Sequence, residues 1–147
     1  MRKGALNLGQ SKAGSVTYHD PCYLGRYNGE YEAPRAVLKA IGIEVKEMAR
    51  SGFRSRCCGG GGGAPITDIP GKQRIPDMRM VDIKETGAEL VAVGCPQCTA
   101  MLEGVVAPRP EIKDIAELVA EVLIEATEVP AKKPSLGARE EAVEVHL

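Results

Sequence analysis

All five cysteines of this 147-residue chain belong to one spaced pattern. The pattern has the form C-x34-C-C-x36-C-x-x-C and consists of Cys22, Cys57, Cys58, Cys95 and Cys98. Thiolates are soft ligands that select zinc, Cu(I) or iron–sulfur clusters. Because no cysteine lies outside the pattern, the simplest interpretation is that the chain folds around one inorganic site.

Composition excludes several other classes of function. The net charge of −1 gives no electrostatic attraction to nucleic acid or to an anionic membrane, and an aromatic content of 3% with no Trp is too low for base stacking. No apolar run approaches the roughly 20 residues of a transmembrane helix, and the first residues lack the apolar core of a secretory signal. We therefore expect a cytoplasmic chain, or one peripheral to a membrane complex, whose cysteines are metal ligands or redox groups.

Strand-like and helix-like segments alternate along the chain. Strands are predicted at residues 16–19, 43–48 and 89–94, and helices at residues 32–41, 78–86, 99–106 and 112–126. This alternation predicts an α/β domain with a small, mainly parallel sheet of three or four strands flanked by helices. Polar composition predicts a flexible N-terminal arm at residues 1–14 and a flexible tail at residues 129–147, which leaves residues 15–128 as the cysteine-rich domain.

The predicted fold brings the cysteines together. Cys22 and Cys95 each follow a predicted strand, and open α/β sheets gather their sites at the carboxyl ends of the strands. The irregular segment 49–76, with its long Gly-rich loop, would place Cys57 and Cys58 over the same edge.

Five thiols exceed the four that a zinc ion or a cubane cluster takes. A fifth thiolate has a use where one sulfur bridges two irons or where a distorted cluster needs another ligand. The neighbours Cys57 and Cys58 suit that role, because two adjacent thiolates can reach different irons. Gly59 and Gly60 begin a run of glycines whose backbone N–H groups can point at an anionic cluster, so both are candidate cofactor-binding residues.

Two motifs also have other interpretations. Residues 59–64 fit the dinucleotide fingerprint G-x-G-x-x-A, but no strand leads into them and Pro65 and Pro70 follow; the glycines could also form a flexible loop. Cys95 and Cys98 could form a thioredoxin-like redox pair at a helix N-terminus. That interpretation leaves three cysteines unexplained, and no catalytic residue is assigned.

Other residues near Cys22 could contribute to the site. His19 could be a ligand, although a lone histidine is more often a hydrogen-bonding residue, and we favour the second role. Tyr18, Tyr23, Tyr27 and Tyr31 surround the first cysteine in sequence. We favour packing over a role in lining a substrate or quinone cleft.

With the pattern defined, the chain resembles the cysteine-rich CCG domain family. The resemblance covers about residues 15–126 and is carried by HDPCYLGRYN at residues 19–28, CCGGGGG at 57–63, GCPQCTAML at 94–102 and KDIAEL at 113–118. Such domains occur in the catalytic B-type chain of heterodisulfide reductase and in its D-type relatives. They also occur in glycolate- and lactate-oxidase iron–sulfur subunits, in anaerobic glycerol-3-phosphate dehydrogenase and in electron-transfer-flavoprotein-linked oxidoreductases.

The resemblance implies an α/β fold and a metal centre. In heterodisulfide reductase the five cysteines of this domain hold a noncubane [4Fe–4S] cluster, and some members have zinc at one such site. If the same pattern applies to this chain, the resemblance implies that the ligands are Cys22, Cys57, Cys58, Cys95 and Cys98. The implied function is electron transfer between a flavin or ferredoxin-type donor and a disulfide, quinone or membrane carrier; the alternative is a structural zinc module of a redox complex.

The chain departs from the family in two ways. It has a single CCG cysteine set, whereas heterodisulfide reductase uses two, and it lacks the ferredoxin-type run that many relatives have upstream. We therefore expect the C-terminal half of a split or truncated oxidoreductase. Partner chains would be ferredoxin-type or flavin-containing subunits, or a second CCG domain, and enzymatic activity would need them.

Overall fold

The computed structural model describes residues 6–67 and 70–123. The order of elements is β1 (Val16–His19), a π-helical turn (Tyr23–Tyr27), α1 (Glu32–Ala40), two short 3-10 turns (Gly52–Arg54 and Ala64–Ile66), α2 (Ile75–Lys84), β2 (Leu90–Val93), α3 (Pro96–Glu103), β3 (Glu111–Asp114) and α4 (Ile115–Ala120). Strands and helices alternate as expected, and the α/β class is confirmed.

The three strands form one parallel sheet in the order β1-β2-β3. Val16 pairs with Leu90, and Leu90 pairs with Glu111 on its other side. The central strand β2 is buried along its whole length, as its continuous apolar sequence predicts for a strand covered on both faces.

Helices cover both faces of the sheet. Successive side chains of a strand point to opposite faces, so Leu90 and Ala92 lie on one side of β2, and Val91 and Val93 on the other. We call the first side, covered by α1 and α4, the aliphatic face; its core is Val16, Tyr18, Leu38, Ile41, Ile43, Leu90, Ala92 and Leu118. We call the second, covered by α2 and α3, the cysteine face; its core is Met48, Cys58, Met80, Ile83, Val91, Val93, Cys98, Leu102, Val105 and Ile112.

The strand predicted at residues 43–48 is wrong in extent. Only Val45 pairs with the sheet, in an isolated parallel bridge to Val16, and Lys46 N–H donates to Val16 O at 2.8 Å. The alternating pattern arises because Ile43 and Val45 both pack on the aliphatic face, with the exposed Glu44 between them. An irregular segment that runs along the edge of β1 can therefore bury apolar side chains without forming a continuous strand.

The helix predicted from residue 112 is also wrong at its start. Residues 111–114 form β3, and α4 follows from Ile115 to Ala120. Asp114 separates the two elements through a capping box: its Oδ1 accepts from Ala116 N–H at 2.8 Å, and Glu117 Oε2 accepts from Asp114 N–H at 2.7 Å. Ile112 fits helical spacing in sequence, but it is buried on the cysteine face through the alternation of the strand.

The other helix boundaries differ by a few residues. The helices predicted at 78–86 and 99–106 begin earlier, at Ile75 and Pro96, because each has a proline in its first turn. Residues 124–126 of the last predicted helix, and the predicted tail 129–147, lie outside the described residues.

Part of the predicted N-terminal arm lies against the domain. Gly9 N–H donates to Val122 O at 2.7 Å, Ser11 N–H donates to Ile41 O at 2.8 Å, and Leu8 forms a bridge with Leu123. Residues 1–5 lie outside the described part of the chain. No helix in the described ranges has both the length and the apolar character needed to cross a membrane.

Candidate metal centre

The five cysteines meet at the carboxyl edge of the sheet. Cys22 follows β1, and Cys95 is the N-terminal cap of α3 immediately after β2. The loop before α2 carries Cys57 and Cys58 to the same edge, where Cys22 Sγ lies 3.8 Å from Cys57 Sγ. Cys98 hydrogen bonds with both Cys58 and Cys95, and Cys58 directly follows Cys57 in the chain, so the five form one connected group. All five are free thiols.

Two of the predicted glycines point backbone donors at this group. Gly59 N–H donates to Cys57 Sγ at 3.3 Å, and Gly60 N–H donates to Cys58 Sγ at 3.4 Å. Gly59 has a φ of 85°, which L side chains rarely adopt. A Cβ on Gly60 would lie 2.7 Å from Gln97 Cγ, so the loop approaches α3 closely only because this position is glycine.

The contact between Cys58 and Cys98 separates their pKa values. The Cys98 thiol donates to Cys58, which lowers the pKa of Cys58 to about 4 and raises the pKa of Cys98. Burial raises the pKa of Cys57. Because a thiol must lose its proton to bind a metal, Cys58 is a ready thiolate at neutral pH, and metal binding would release protons from its neighbours.

This donor set fits a thiolate-bound metal centre. Soft sulfur donors from three separate segments converge, and backbone N–H groups face two of the sulfurs, which is how proteins surround iron–sulfur clusters. Four of the five thiols would also satisfy a tetrahedral zinc site. A smaller group is compact as well: His19, Cys58 and Cys98 each place one donor atom within 4.8 Å of the others.

A buried arginine beneath the cysteines is the main feature that sequence analysis misses. Arg79 of α2 has no exposed surface, and its Nε donates to His19 Nδ1 at 3.0 Å. It also binds Asp82 in the same helix, which forms a salt bridge with Arg56 at 2.9 Å. In sequence, an arginine and an aspartate three residues apart in a helix look like an ordinary surface pair, so no local signal identifies them.

A second ion pair and a backbone hydrogen bond fasten the segment just before Cys22 to the loop before Cys57. Asp20, which is buried, accepts from Arg35 at 2.8 and 3.2 Å and from Gly52 N–H at 2.8 Å. Arg35 also binds Glu47 at 2.6 Å and lies over the Tyr18 ring, 5.2 Å from its centroid. These contacts hold together two of the segments that supply cysteines.

The tyrosines near Cys22 have different environments. Tyr18 is buried in the aliphatic face, and burial raises its pKa; Tyr31 is half-buried. Tyr23 and Tyr27 are each 75% exposed, and their ring centroids lie 5.1 Å apart. Packing therefore accounts for Tyr18 but not for the exposed pair.

An exposed aromatic and cationic surface lies beside the cysteines. The side chain of Phe53 is 76% exposed, and Arg54 lies 6.0 Å from its ring centroid. Arg26, at the end of the turn that carries Tyr23 and Tyr27, donates to Cys22 Sγ at 3.1 Å. We call this surface, formed by Tyr23, Arg26, Tyr27, Phe53 and Arg54, the Cys22 edge.

Comparisons with known proteins agree with the pattern of cysteines. The CCG family, described as a cysteine-rich domain, matches residues 16–103. A probable membrane-anchored ferredoxin of Chromohalobacter salexigens is 71% identical over 127 residues, which are 84% of this chain and 19% of that protein. The D-type chain of dihydromethanophenazine:CoB–CoM heterodisulfide reductase from Methanosarcina barkeri is 42% identical over 120 residues, 74% of this chain and 28% of that protein.

A further relative is a quinone-linked oxidoreductase. The EtfAB:quinone oxidoreductase of Syntrophomonas wolfei is 37% identical over 134 residues, 86% of this chain and 19% of that protein. The chain thus spans less than a third of the length of each of these three relatives. No solved structure matches the chain.

Proposed function

Since the chain belongs to the CCG cysteine-rich domain family, we propose that it is the cluster-binding part of an iron–sulfur oxidoreductase. The proposed ligands of its [4Fe–4S] cluster are Cys22, Cys57, Cys58, Cys95 and Cys98, with Gly59 and Gly60 as backbone donors to sulfur. The observation that carries the proposal is the convergence of all five thiols at one edge, with N–H groups 3.3 and 3.4 Å from two sulfurs. When bound, such a cluster supplies one-electron transfer.

The number of thiols favours a noncubane cluster. A cubane or a zinc ion takes four cysteines, and either would leave one of the five sulfurs without a role. Cys57 lies beside Cys22, and Cys58 lies beside Cys98. The two cysteines that are adjacent in sequence therefore contact different cysteines. That arrangement suits two thiolates that bind different irons of one cluster.

The protein contributes three things to such a centre. Burial on the cysteine face excludes water from Cys58 and Cys98. The low pKa of Cys58 makes a thiolate available. Arg26, which donates to Cys22 Sγ, and the two glycine N–H groups place positive charge and dipoles against the sulfurs, which favours the reduced state of a bound cluster.

Electrons would enter or leave at the Cys22 edge. Exposed aromatic side chains beside a redox centre are suited to contact with another protein, since aromatic residues and arginine are enriched in interfaces. We propose that another subunit docks there: a ferredoxin-type or flavin-containing subunit, or a second CCG domain. The names of the relatives favour a disulfide or a quinone as acceptor and a place at the periphery of a membrane complex.

The second candidate function is a structural zinc module. It is favoured by the five free thiols, four of which could complete a tetrahedral site around one zinc ion. A module of this kind would hold the loops of the cysteine edge together through metal-coupled folding and would carry no electrons.

Metal and sulfide analysis tests both functions. The full chain is purified without oxygen, and iron, acid-labile sulfide and zinc are measured per chain, with EPR of oxidised and reduced samples. We expect about four irons and four sulfides and a paramagnetic signal in one redox state. One zinc per chain with no sulfide would replace the proposal by the structural alternative. Thiol–disulfide activity in metal-free protein, abolished by alkylation, would instead support a redox role for Cys95 and Cys98 alone.

A further inference from the structure

We infer that Arg79 is a positioning residue that holds His19 as a hydrogen-bond donor to the sulfurs of the cysteine site, and that His19 is not a metal ligand. This inference rests on the proposed function, because it concerns the surroundings of the same centre. It removes one residue from the candidate ligands and gives a buried cation a role in setting the properties of the site.

His19 lies where a ligand would be expected. It is the last residue of β1, is fully buried, and shares the compact group with Cys58 and Cys98. Strand alternation turns it away from Val16 and Tyr18, which lie in the core of the aliphatic face. Proximity alone would therefore make His19 a third ligand beside two thiolates.

The contact with Arg79 decides against that role. A guanidinium has only N–H donors and stays protonated in proteins, so the nitrogen that receives Arg79 Nε–H must offer a lone pair. That nitrogen is His19 Nδ1, at 3.0 Å. A neutral imidazole with a free Nδ1 lone pair carries its single proton on Nε2, and a protonated nitrogen cannot bind a metal.

The remaining nitrogen needs an acceptor. His19 Nε2 is buried and has no hydrogen-bond partner among the residues that the structure describes. With Nδ1 occupied by Arg79, Nε2 is the nitrogen left to face the sulfurs of Cys58 and Cys98. A sulfur atom of the thiolates or of the bound cluster therefore receives the Nε2–H.

Arg79 is itself held on several sides. Its Nη1 donates to Arg50 O at 2.8 Å and to Asp82 Oδ2 at 3.3 Å, and its Nη2 donates to Ser55 Oγ at 3.2 Å. These contacts fix the plane of the guanidinium, so Nε points at His19. Arg50 and Ser55 belong to the loop that leads to Cys57, so the same side chain links α2, β1 and the cysteine loop.

The first experiment determines the tautomer in the full chain. The sequence has two histidines, His19 and His146, so the variant His146→Gln leaves a single set of imidazole signals in ¹⁵N-histidine-labelled protein. The probe is ¹¹³Cd²⁺, a soft and diamagnetic ion that binds thiolates. We expect a protonated Nε2, an unprotonated Nδ1 and no coupling between cadmium and nitrogen. Cadmium–nitrogen coupling, or a proton on Nδ1, would overturn the inference.

The second experiment separates a donor from a ligand in the iron-loaded chain. His19→Gln keeps an N–H near the position of Nε2, whereas His19→Leu removes it. We expect both variants to keep the iron and sulfide content of the wild type, and only His19→Leu to have a more negative midpoint potential. Loss of iron from both variants would identify His19 as a ligand and contradict the inference.

Arg79→Met tests the positioning role. We expect the histidine spectrum of this variant to show a mixture of tautomers, with a midpoint potential that falls toward that of His19→Leu. The matched control is Arg56→Met, which removes another arginine from Asp82 without touching His19 and should leave the tautomer unchanged. An unchanged tautomer in Arg79→Met would remove Arg79 from this role.

The tests remain decisive if a variant fails. Should Arg79→Met not fold, the spectrum of the chain with Arg79 intact and the pair of His19 variants still decide whether His19 donates or ligates. Should the wild-type chain bind no iron or sulfide, the proposed function fails, while the cadmium spectrum still reports on His19 and Arg79.

Discussion

The two faces of one three-stranded sheet are built on different principles. On the aliphatic face, α1 and α4 pack on a core of aliphatic side chains and Tyr18. On the cysteine face, the same strands meet α2 and α3 across aliphatic side chains as well, but this core also contains thiols, the imidazole of His19, and a buried arginine and aspartate. The alternation of β1 alone sends Tyr18 to one side and His19 to the other. Aliphatic packing is thus present on both faces, whereas the polar and thiol groups are confined to one.

The energetics of the two faces differ accordingly. Burying a Leu or Ile side chain contributes about 1.5–3 kcal/mol, so the aliphatic face stabilises the domain without any ligand. Burying charges such as Arg79 and Asp82 costs free energy unless they are paired, and the pairing on the cysteine face offsets that cost without a large surplus. The stability of the cysteine face therefore comes from the aliphatic side chains of its core rather than from its buried charges.

The largest expected effect comes from replacing single cysteines. For each of the five Cys→Ser variants we expect cluster occupancy, measured as iron and sulfide per chain, to fall more than about tenfold, because loss of a ligand should exceed the effect of losing a residue that supports one. The metal-free forms of Cys22→Ser and Cys95→Ser should unfold at nearly the wild-type urea concentration, since these two side chains are only partly buried. One cysteine that can be replaced without loss of metal would instead indicate a four-ligand site.

The opposite result is expected from Leu38→Ala on the aliphatic face. Leu38 is fully buried, so the variant should lose about 2–5 kcal/mol of unfolding free energy in urea denaturation. Iron per folded chain should stay at the wild-type value. Lys39→Ala, at an exposed position of the same helix, is the control and should change stability by less than about 0.5 kcal/mol. Equal destabilisation by both variants would argue against the packing of α1 described above.

A smaller effect is expected where the Gly-rich loop approaches α3. Gly60→Ala places a Cβ 2.7 Å from Gln97 Cγ and 3.1 Å from Met101 Cγ, so we expect a loss of about 1–3 kcal/mol in urea denaturation. Gly61→Ala is the matched control: its Cβ meets nothing within 4 Å among the described residues, and its φ is not positive. Gln97→Ala should restore part of the stability of Gly60→Ala. A double variant no more stable than Gly60→Ala would show that the close approach is not the cause.

The smallest effect concerns the cap between β3 and α4. Asp114→Ala removes the side chain that accepts from Ala116 N–H, so we expect a loss of about 1 kcal/mol in thermal or urea unfolding. Asp114→Ser keeps an acceptor at this position and should retain most of the stability. Cluster occupancy should be the same in both variants, because α4 covers the aliphatic face. Equal destabilisation by the two substitutions would show that capping is not what Asp114 contributes.

Several features of this protein were predictable from short stretches of sequence. The apolar run of β2, the helix stop at Gly42 and the strand before Cys22 are local patterns, and they were enough to predict a parallel α/β sheet. The convergence of the cysteines follows from the same patterns, because residues that end parallel strands meet at one edge. The assignment of the five as ligands stays a prediction until metal is measured.

Local patterns failed where two structures satisfy the same spacing. Ile112 and Ile115 fit a helix, but backbone pairing with β2 makes residues 111–114 a strand and leaves only Ile115–Ala120 as helix. Ile43 and Val45 fit an alternating strand, but within this segment only Val45 pairs with the sheet, in an isolated bridge to Val16. In both segments, pairing with a distant strand decided the conformation.

By itself, the sequence determined the class of fold, the edge of the sheet where the cysteines gather and the chemistry that five thiols prefer. Only the tertiary structure decided the hydrogen-bonding state of the site. Arg79, Ser55 and His19 come from separate elements, and nothing in their spacing shows that one buried guanidinium joins them. The physical reason is that a buried polar group must find its partners wherever packing places them, so its role depends on neighbours that are distant in sequence.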